Sequence, residues 1–217
     1  MLRRDNGLPI RVIAERLGVA KSSVSRWVRD IELTREQHAA LRALNPIYNN
    51  QQLGQEARRV SARAARLEAQ DHGREFARRL DPLHIQGCML YWGEGAKDRN
   101  HAAVANSDPE VLRLYVRFLR RCYEIPVEKM ALGVNLHLGN GLTAGDIVDW
   151  WLRELELPAC CARTPVVARP SRASKFRRGH ILRYGTARLT VHSTFVVQSI
   201  FGAIQEYGGF ERPEWLD

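Results

Sequence analysis

Between Ile10 and Val28 the apolar residues recur at spacings of three and four, stop at Gly18, and then resume. That rhythm predicts two short helices joined by a tight turn. Gly18 has the freedom to take the positive φ that ends the first helix, and Ala14 is small enough to let the second cross it closely. Ile13, Leu17, Val19, Val24 and Trp27 are expected to fill the shared core. Only Met1–Gly7 lie ahead of this pair, so the module is expected to lean on neighbouring segments for stability.

A second helical stretch opens at Thr34. Gln37 follows three residues later as a capping box, with Ala39, Ala40, Leu41 and Leu44 behind it and Asn45-Pro46 as the stop. From about Asn50 to Leu80 a run rich in Ala and Arg carries Leu53, Ala57, Val60, Ala64 and Leu67 at alternating spacings of four and three. Such a narrow stripe suits either self-pairing in a coiled coil or a helix laid against the rest of the chain. Arg58, Arg59, Arg63 and Arg66 on this run could follow phosphates or simply keep it solvated.

Beyond residue 80 the period changes repeatedly between helix and strand. Leu83–Gly93 reads as a helix and Ala102–Ala105 as a strand. Ser107-Asp108-Pro109-Glu110 opens a helix that runs through Cys122. Met130–Leu138 alternates as a strand, Thr143–Leu155 is an amphipathic helix, Arg188–His192 is a strand and Thr194–Tyr207 a closing helix. The predicted class is α+β. Four segments result: a helix-turn-helix module over 1–33, a helical connector over 34–80, an α+β domain over 81–210 and a tail over 211–217.

Charge narrows the choice of partner. The chain of 217 residues has a formal net charge of +9, and it is unevenly distributed: residues 1–80 hold 16 Lys/Arg against 9 Asp/Glu, and residues 157–205 hold 8 against none. Two concentrated basic blocks favour a polyanion, because Lys and Arg that neutralise phosphates release condensed counterions. The second block comprises Arg163, Arg169, Arg172, Lys175, Arg177, Arg178, Arg183 and Arg188, in or beside a stretch of Pro, Ser and Gly. Cys88, Cys122, Cys160 and Cys161 lack the spacing of a disulfide framework or a zinc site, so buried or partly buried reduced thiols are expected. No apolar run reaches the roughly 18 residues of a membrane span, and Met1–Asp5 does not open a signal peptide, so a cytoplasmic, nucleoid-associated location without a membrane partner is expected.

The segment Ile10–Val28 resembles the helix-turn-helix of bacterial repressors, recombinases and transposases, with a glycine four residues after an alanine and apolar residues at the expected offsets on both sides. The resemblance implies that the second helix enters the major groove of double-stranded DNA. Lys21, Ser22, Ser23, Ser25, Arg26 and Arg29 are then the DNA-binding candidates. Arg26 has the fork for bidentate contact with guanine, worth about 1–3 kcal/mol of discrimination. Lys21 and Arg29 suit phosphate, as do Arg11 and Arg16 of the first helix. In the second basic block Arg172, Lys175, Arg177 and Arg178 are the candidates for further DNA contact.

Gly87-Cys88-Met89-Leu90-Tyr91-Trp92-Gly93-Glu94-Gly95 and the order of elements around it resemble a divergent LAGLIDADG homing-endonuclease domain, a saddle-shaped αββαββα fold. The resemblance places Glu94 at the helix end, where that family keeps its metal-binding acid, and implies Mg²⁺ only if the domain is a nuclease. Met89 stands where the family has a packing glycine, a single motif is present, and Lys97 follows the motif directly rather than lying on a later strand. The expectation is therefore a domain without catalysis or cofactor. His137 and His192 are expected on the polar faces of strands, with no nucleophile beside them. A helix-turn-helix ahead of such a domain also resembles bacterial regulators and a group of actinobacterial helix-turn-helix proteins. A sequence-specific transcriptional regulator acting as a homodimer is the expectation. A metal-dependent endonuclease or nickase working through Glu94, or a recombination or transposition accessory protein, is the alternative.

Overall fold

The computed structural model describes residues 2–3, 5–44, 46–136, 138, 141–167 and 182–216. The chain divides into two compact units, Met1–Ser61 and Ala62–Asp217.

In the first unit α1 (Ile10–Leu17) and α2 (Lys21–Trp27) meet at Gly18, whose φ of 65° is the left-handed conformation that the sequence anticipates. The glycine N–H and that of Val19 satisfy the carbonyls of Glu15 and Ala14 at the end of α1. Ile13, Ala14 and Val24 are buried, and Leu2, Leu8, Ile10, Val19 and Val28 pack around them. Leu17 and Trp27 are not core residues as expected: they are 51% and 60% exposed. Val24 is the one buried residue of α2, and the half-buried Val28 follows just past the helix end. Trp27 and Leu17, the last residues of their helices, fit the helical period yet are turned to solvent.

The segment before α1 is tied in by several bonds. Arg3 donates to the Leu8 carbonyl at 2.6 Å, and Gly7, at φ 59°, lies so close to Gln37 that a Cβ would come within 2.8 Å of its side chain. Gln37 belongs to α3 (Arg35–Ala43), where it completes the anticipated capping box: its N–H donates to Thr34 Oγ1 at 3.2 Å and its Oε1 accepts from the Thr34 N–H at 3.0 Å. A single pair of residues thus starts α3 and holds the N-terminal segment. The long helix α4 spans Pro46–Ala77, starting at the proline rather than near Asn50, because proline is tolerated in a first turn where its missing N–H has no partner to lose.

The second unit continues with α5 (Pro82–Glu94), β1 (Ala102–Asn106), α6 (Pro109–Tyr123), β2 (Met130–Leu136), α7 (Ala144–Glu154), β3 (Val166–Val167), β4 (Thr186–Val191) and α8 (Thr194–Gly208). The class is α+β. The sheet order is β1-β4-β2-β3, with β4 antiparallel to both neighbours and the short β3 parallel to β2. This departs from αββαββα. Helix α6 stands between β1 and β2, and those two strands flank β4 instead of forming a hairpin. The local signals for α6 are strong: Asp108 accepts from the Glu110 N–H at 2.9 Å and Pro109 occupies the first turn.

Alternation gives the sheet one apolar face. Ala102 and Val104 of β1, Ala187, Leu189 and Val191 of β4, and Met130, Leu132, Val134 and Leu136 of β2 line up in register and join one core with residues of α5, α6, α7 and α8. Helix α8 is buried from Val196 to Gln205 and crosses the end of α4 at glycine contacts. A Cβ on Gly73 would sit 1.8 Å from the Ser199 carbonyl, and one on Gly202 would sit 1.9 Å from that of Gln70. Three buried glutamines satisfy one another across this crossing. Gln70 donates to Gln198 Oε1 at 2.8 Å and accepts from Gln205 at 3.1 Å, and Gln198 also donates to the Trp215 carbonyl at 3.0 Å. Trp215 and Leu216 are therefore built into the core, with the Trp215 ring stacked on Phe201 at 4.4 Å.

A second polar cluster is sealed among α4, α5, α6 and α8. The fully buried His84 stacks on Phe76 at 4.0 Å, and its Nδ1 lies 2.8 Å from the Tyr207 hydroxyl. The Tyr123 hydroxyl lies 3.5 Å from His84 Nε2 and donates to Ser199 Oγ at 3.3 Å. Burial lowers the imidazole pKa to about 4; nearby His72 and Arg79 push the same way, and Asp81 opposes them.

Candidate nucleic-acid interface

Burying Val24 against α1 fixes which way α2 faces. Lys21, Ser22, Ser25 and Arg26 are then exposed and Ser23 is half-buried, while Arg29, also exposed, lies just beyond the helix end. Among the described residues Lys21, Arg26 and Arg29 make no ion pair, so their charge is available to a ligand. Arg29 and Ser25 line an open cleft of about 500 Å³ together with Arg3, Val28 and His38. Arg11 differs: its guanidinium is 2.8 Å from Glu15, and that hydrogen bond and charge raise its pKa. Arg16, in the last turn of α1, is exposed. Trp27, assigned to the core from its period, is instead exposed. No local signal marks this, since positions three and four residues after a buried one lie on the same helix face.

The second basic block is only partly described. Arg169, Arg172, Lys175, Arg177 and Arg178 lie outside the described residues, as does His137. Of the remainder, Arg163 donates to the carbonyls of Cys160 and Ala162, and Arg183 lies 5.5 Å from the Tyr184 ring centre. Arg188 projects from β4. On α4, Arg66 donates to the Leu216 carbonyl at 2.6 Å, which gives this arginine a structural contact.

Glu94 is the exposed last residue of α5. Lys97 curls back under the same helix end, and its ammonium donates to the carbonyls of Tyr91 at 3.1 Å and of Trp92 and Gly95 at 2.8 Å. It thereby adds to the Gly95 N–H, which already donates to the Tyr91 carbonyl, and answers the negative end of the helix dipole. Burial lowers the Lys97 pKa, against the pull of Glu94. Among the described residues no three His, Cys, Asp or Glu side chains converge as a metal set. Gly87, two residues before Met89, makes the tight approach in this helix: a Cβ there would fall 2.1 Å from the Phe118 ring of α6. His192 lies just past the end of β4, exposed, and not on the strand as expected. The four cysteines are free; Cys88 and Cys161 are buried and Cys122 is partly so, but Cys160 is exposed because it sits on the 3-10 turn Ala159–Cys161 with Cys161 taking the inward position. No helix among the described residues is long and apolar enough to cross a membrane.

Residues 1–41 match the family model of a homeodomain-like domain, which takes in the N-terminal segment, α1, α2 and most of α3. No match was found among curated proteins or solved structures. The matched segment is thus similar to a helix-turn-helix domain of homeodomain type, and DNA is the partner that such a domain points to.

Proposed function

We propose that the protein binds double-stranded DNA in a sequence-specific manner and acts as a transcriptional regulator, with α2 as its reading helix. The observation that carries this is the orientation of α2. Its only buried side chain is Val24, and its outer face offers Lys21, Ser22, Ser25 and Arg26 without internal partners within a segment similar to a homeodomain-like domain. Serines and a fork-shaped guanidinium in the first turns of a recognition helix are suited to base edges, and Lys21 and Arg29 to phosphate. The stretch containing Arg172, Lys175, Arg177 and Arg178 adds sequence-independent affinity. The protein pairs as a homodimer. Leu53 and Val60 of α4 support this, since both are exposed at heptad spacing.

Selection of bound sequences from random duplexes, followed by titration of the selected site against a scrambled one, tests this reading. Arg26→Ala is expected to lower the ratio of specific to non-specific affinity by about ten- to a hundredfold, the equivalent of about 1–3 kcal/mol. An equal loss on both duplexes would reduce Arg26 to a phosphate clamp. Supercoiled plasmid incubated with Mg²⁺ is expected to stay intact, and nicking that disappears in Glu94→Gln would replace the regulator with a nuclease.

A further inference from the structure

We propose that Arg188, held from behind by His101 and Asp98, forms a phosphodiester-binding site on the outer face of the sheet, with duplex DNA as its ligand; this rests on the DNA-binding reading above. Arg188 lies in the middle of β4, between two inner-face residues, Ala187 and Leu189, both fully buried. Strand alternation therefore directs it away from the core. Its partners across the ladders are Ala105 of β1 and Gly133 of β2. Neither covers it. A Cβ added to Gly133 would find only the Arg188 backbone carbonyl, at 4.0 Å. Uncharged residues flank it on the same face: Thr186 and Thr190 of β4 and Asn135 of β2, with Ala103 of β1 and Ala131 of β2 buried further along. Among the described residues the exposed guanidinium thus stands between small neighbours, Ala105 and Gly133, where a nucleic-acid backbone can approach it.

The guanidinium is also oriented. His101 Nδ1 lies 3.1 Å from Asp98 Oδ1, and Arg188 Nη2 lies 3.3 Å from His101 Nε2. With the proton on Nδ1 donated to the carboxylate, Nε2 carries the lone pair and accepts from Arg188. The Asn100 N–H, bonded to Asp98 at 2.8 Å, holds that carboxyl below its usual range and keeps it an acceptor. One of the five guanidinium N–H groups is used in this way, which leaves the others for phosphate oxygens. Among the described residues Arg188 has no carboxylate partner, whereas Arg74, Arg78 and Arg113 are each paired with one or more acids. An arginine already fixed by a neutral acceptor loses less freedom when it binds an anion.

The test is fluorescence anisotropy of the full chain on a labelled duplex across a salt series. Each phosphate contact contributes about 0.9 to the slope of log K against log salt. Arg188→Gln is expected to reduce that slope by about 0.9. Gly133→Ile, which fills open space and leaves the melting temperature near that of the wild type, is expected to weaken binding several-fold by blocking the approach. His101→Phe removes the acceptor but keeps the charge, so it should weaken binding a few-fold with the slope unchanged, as befits a positioning residue. Wild-type binding with no change of slope in Arg188→Gln and no loss in Gly133→Ile overturns the site alone. No binding by the wild type overturns the DNA-binding reading and the site together.

Discussion

His84 makes the second unit sensitive to acid, and the effect can be worked out from its surroundings. The ring is fully buried, stacked on Phe76 and bonded to Tyr207, and its pKa falls from 6.5 to about 4. In the unfolded chain the ring protonates near 6.5, while in the folded unit it resists until about pH 4. Between those values the unfolded state binds more protons, so stability falls as pH falls. The loss begins as pH drops through 6.5 and levels off below about 4. At about 1.4 kcal/mol per pKa unit the full window amounts to about 3 kcal/mol. The assay is urea unfolding from pH 7.5 to 4, followed by tryptophan fluorescence, since Trp92, Trp150, Trp151 and Trp215 all lie in the same unit as His84. Carboxylates that titrate near the acid end act in wild type and variant alike, so the wild type is compared with His84→Gln, which keeps a polar contact to Tyr207 but has no proton to gain. The variant is expected to start less stable and to lose about 3 kcal/mol less across the window. Parallel pH profiles for the two proteins would refute the assignment of the acid sensitivity to His84.

Two further substitutions probe the packing that positions the interfaces. Gly202→Ala puts a methyl group against the Gln70 carbonyl, where the ideal position is only 1.9 Å away, so α4 and α8 must separate. A loss of at least 2 kcal/mol in urea unfolding is expected, and a change under 0.5 kcal/mol would show that the crossing is loose. Thr34→Ala removes the hydroxyl that caps α3 at 3.2 Å. Loss of about 1 kcal/mol from the first unit is expected by thermal unfolding, and unchanged melting would mean that Gln37 holds the segment without the cap.

Local chemistry decided much of this protein in advance. The positive φ of Gly18, the caps at Thr34, Asp108 and Thr143, and the alternation along β2 and β4 depend on residues within a few positions of each other, so each could be read from the sequence. Lys21, Ser22, Ser25 and Arg26 were legible as outward residues of α2 for the same reason, being the polar positions around an apolar Val24. What required the tertiary structure was every feature that joins distant segments. Leu17 and Trp27 fit a helical period yet are exposed, because which face of α1 and α2 is covered depends on what packs there. The insertion of β4 between β1 and β2 depends on a strand that follows them by 50 residues or more, and no periodicity encodes strand order. The placing of Arg188 against His101 is likewise set by pairing of β1 with β4 across a sequence separation of 87. The sequence shows only that Arg188 is a charge in a basic block. Its small neighbours, Ala105 and Gly133, lie on two other strands, and the imidazole that orients its guanidinium belongs to His101.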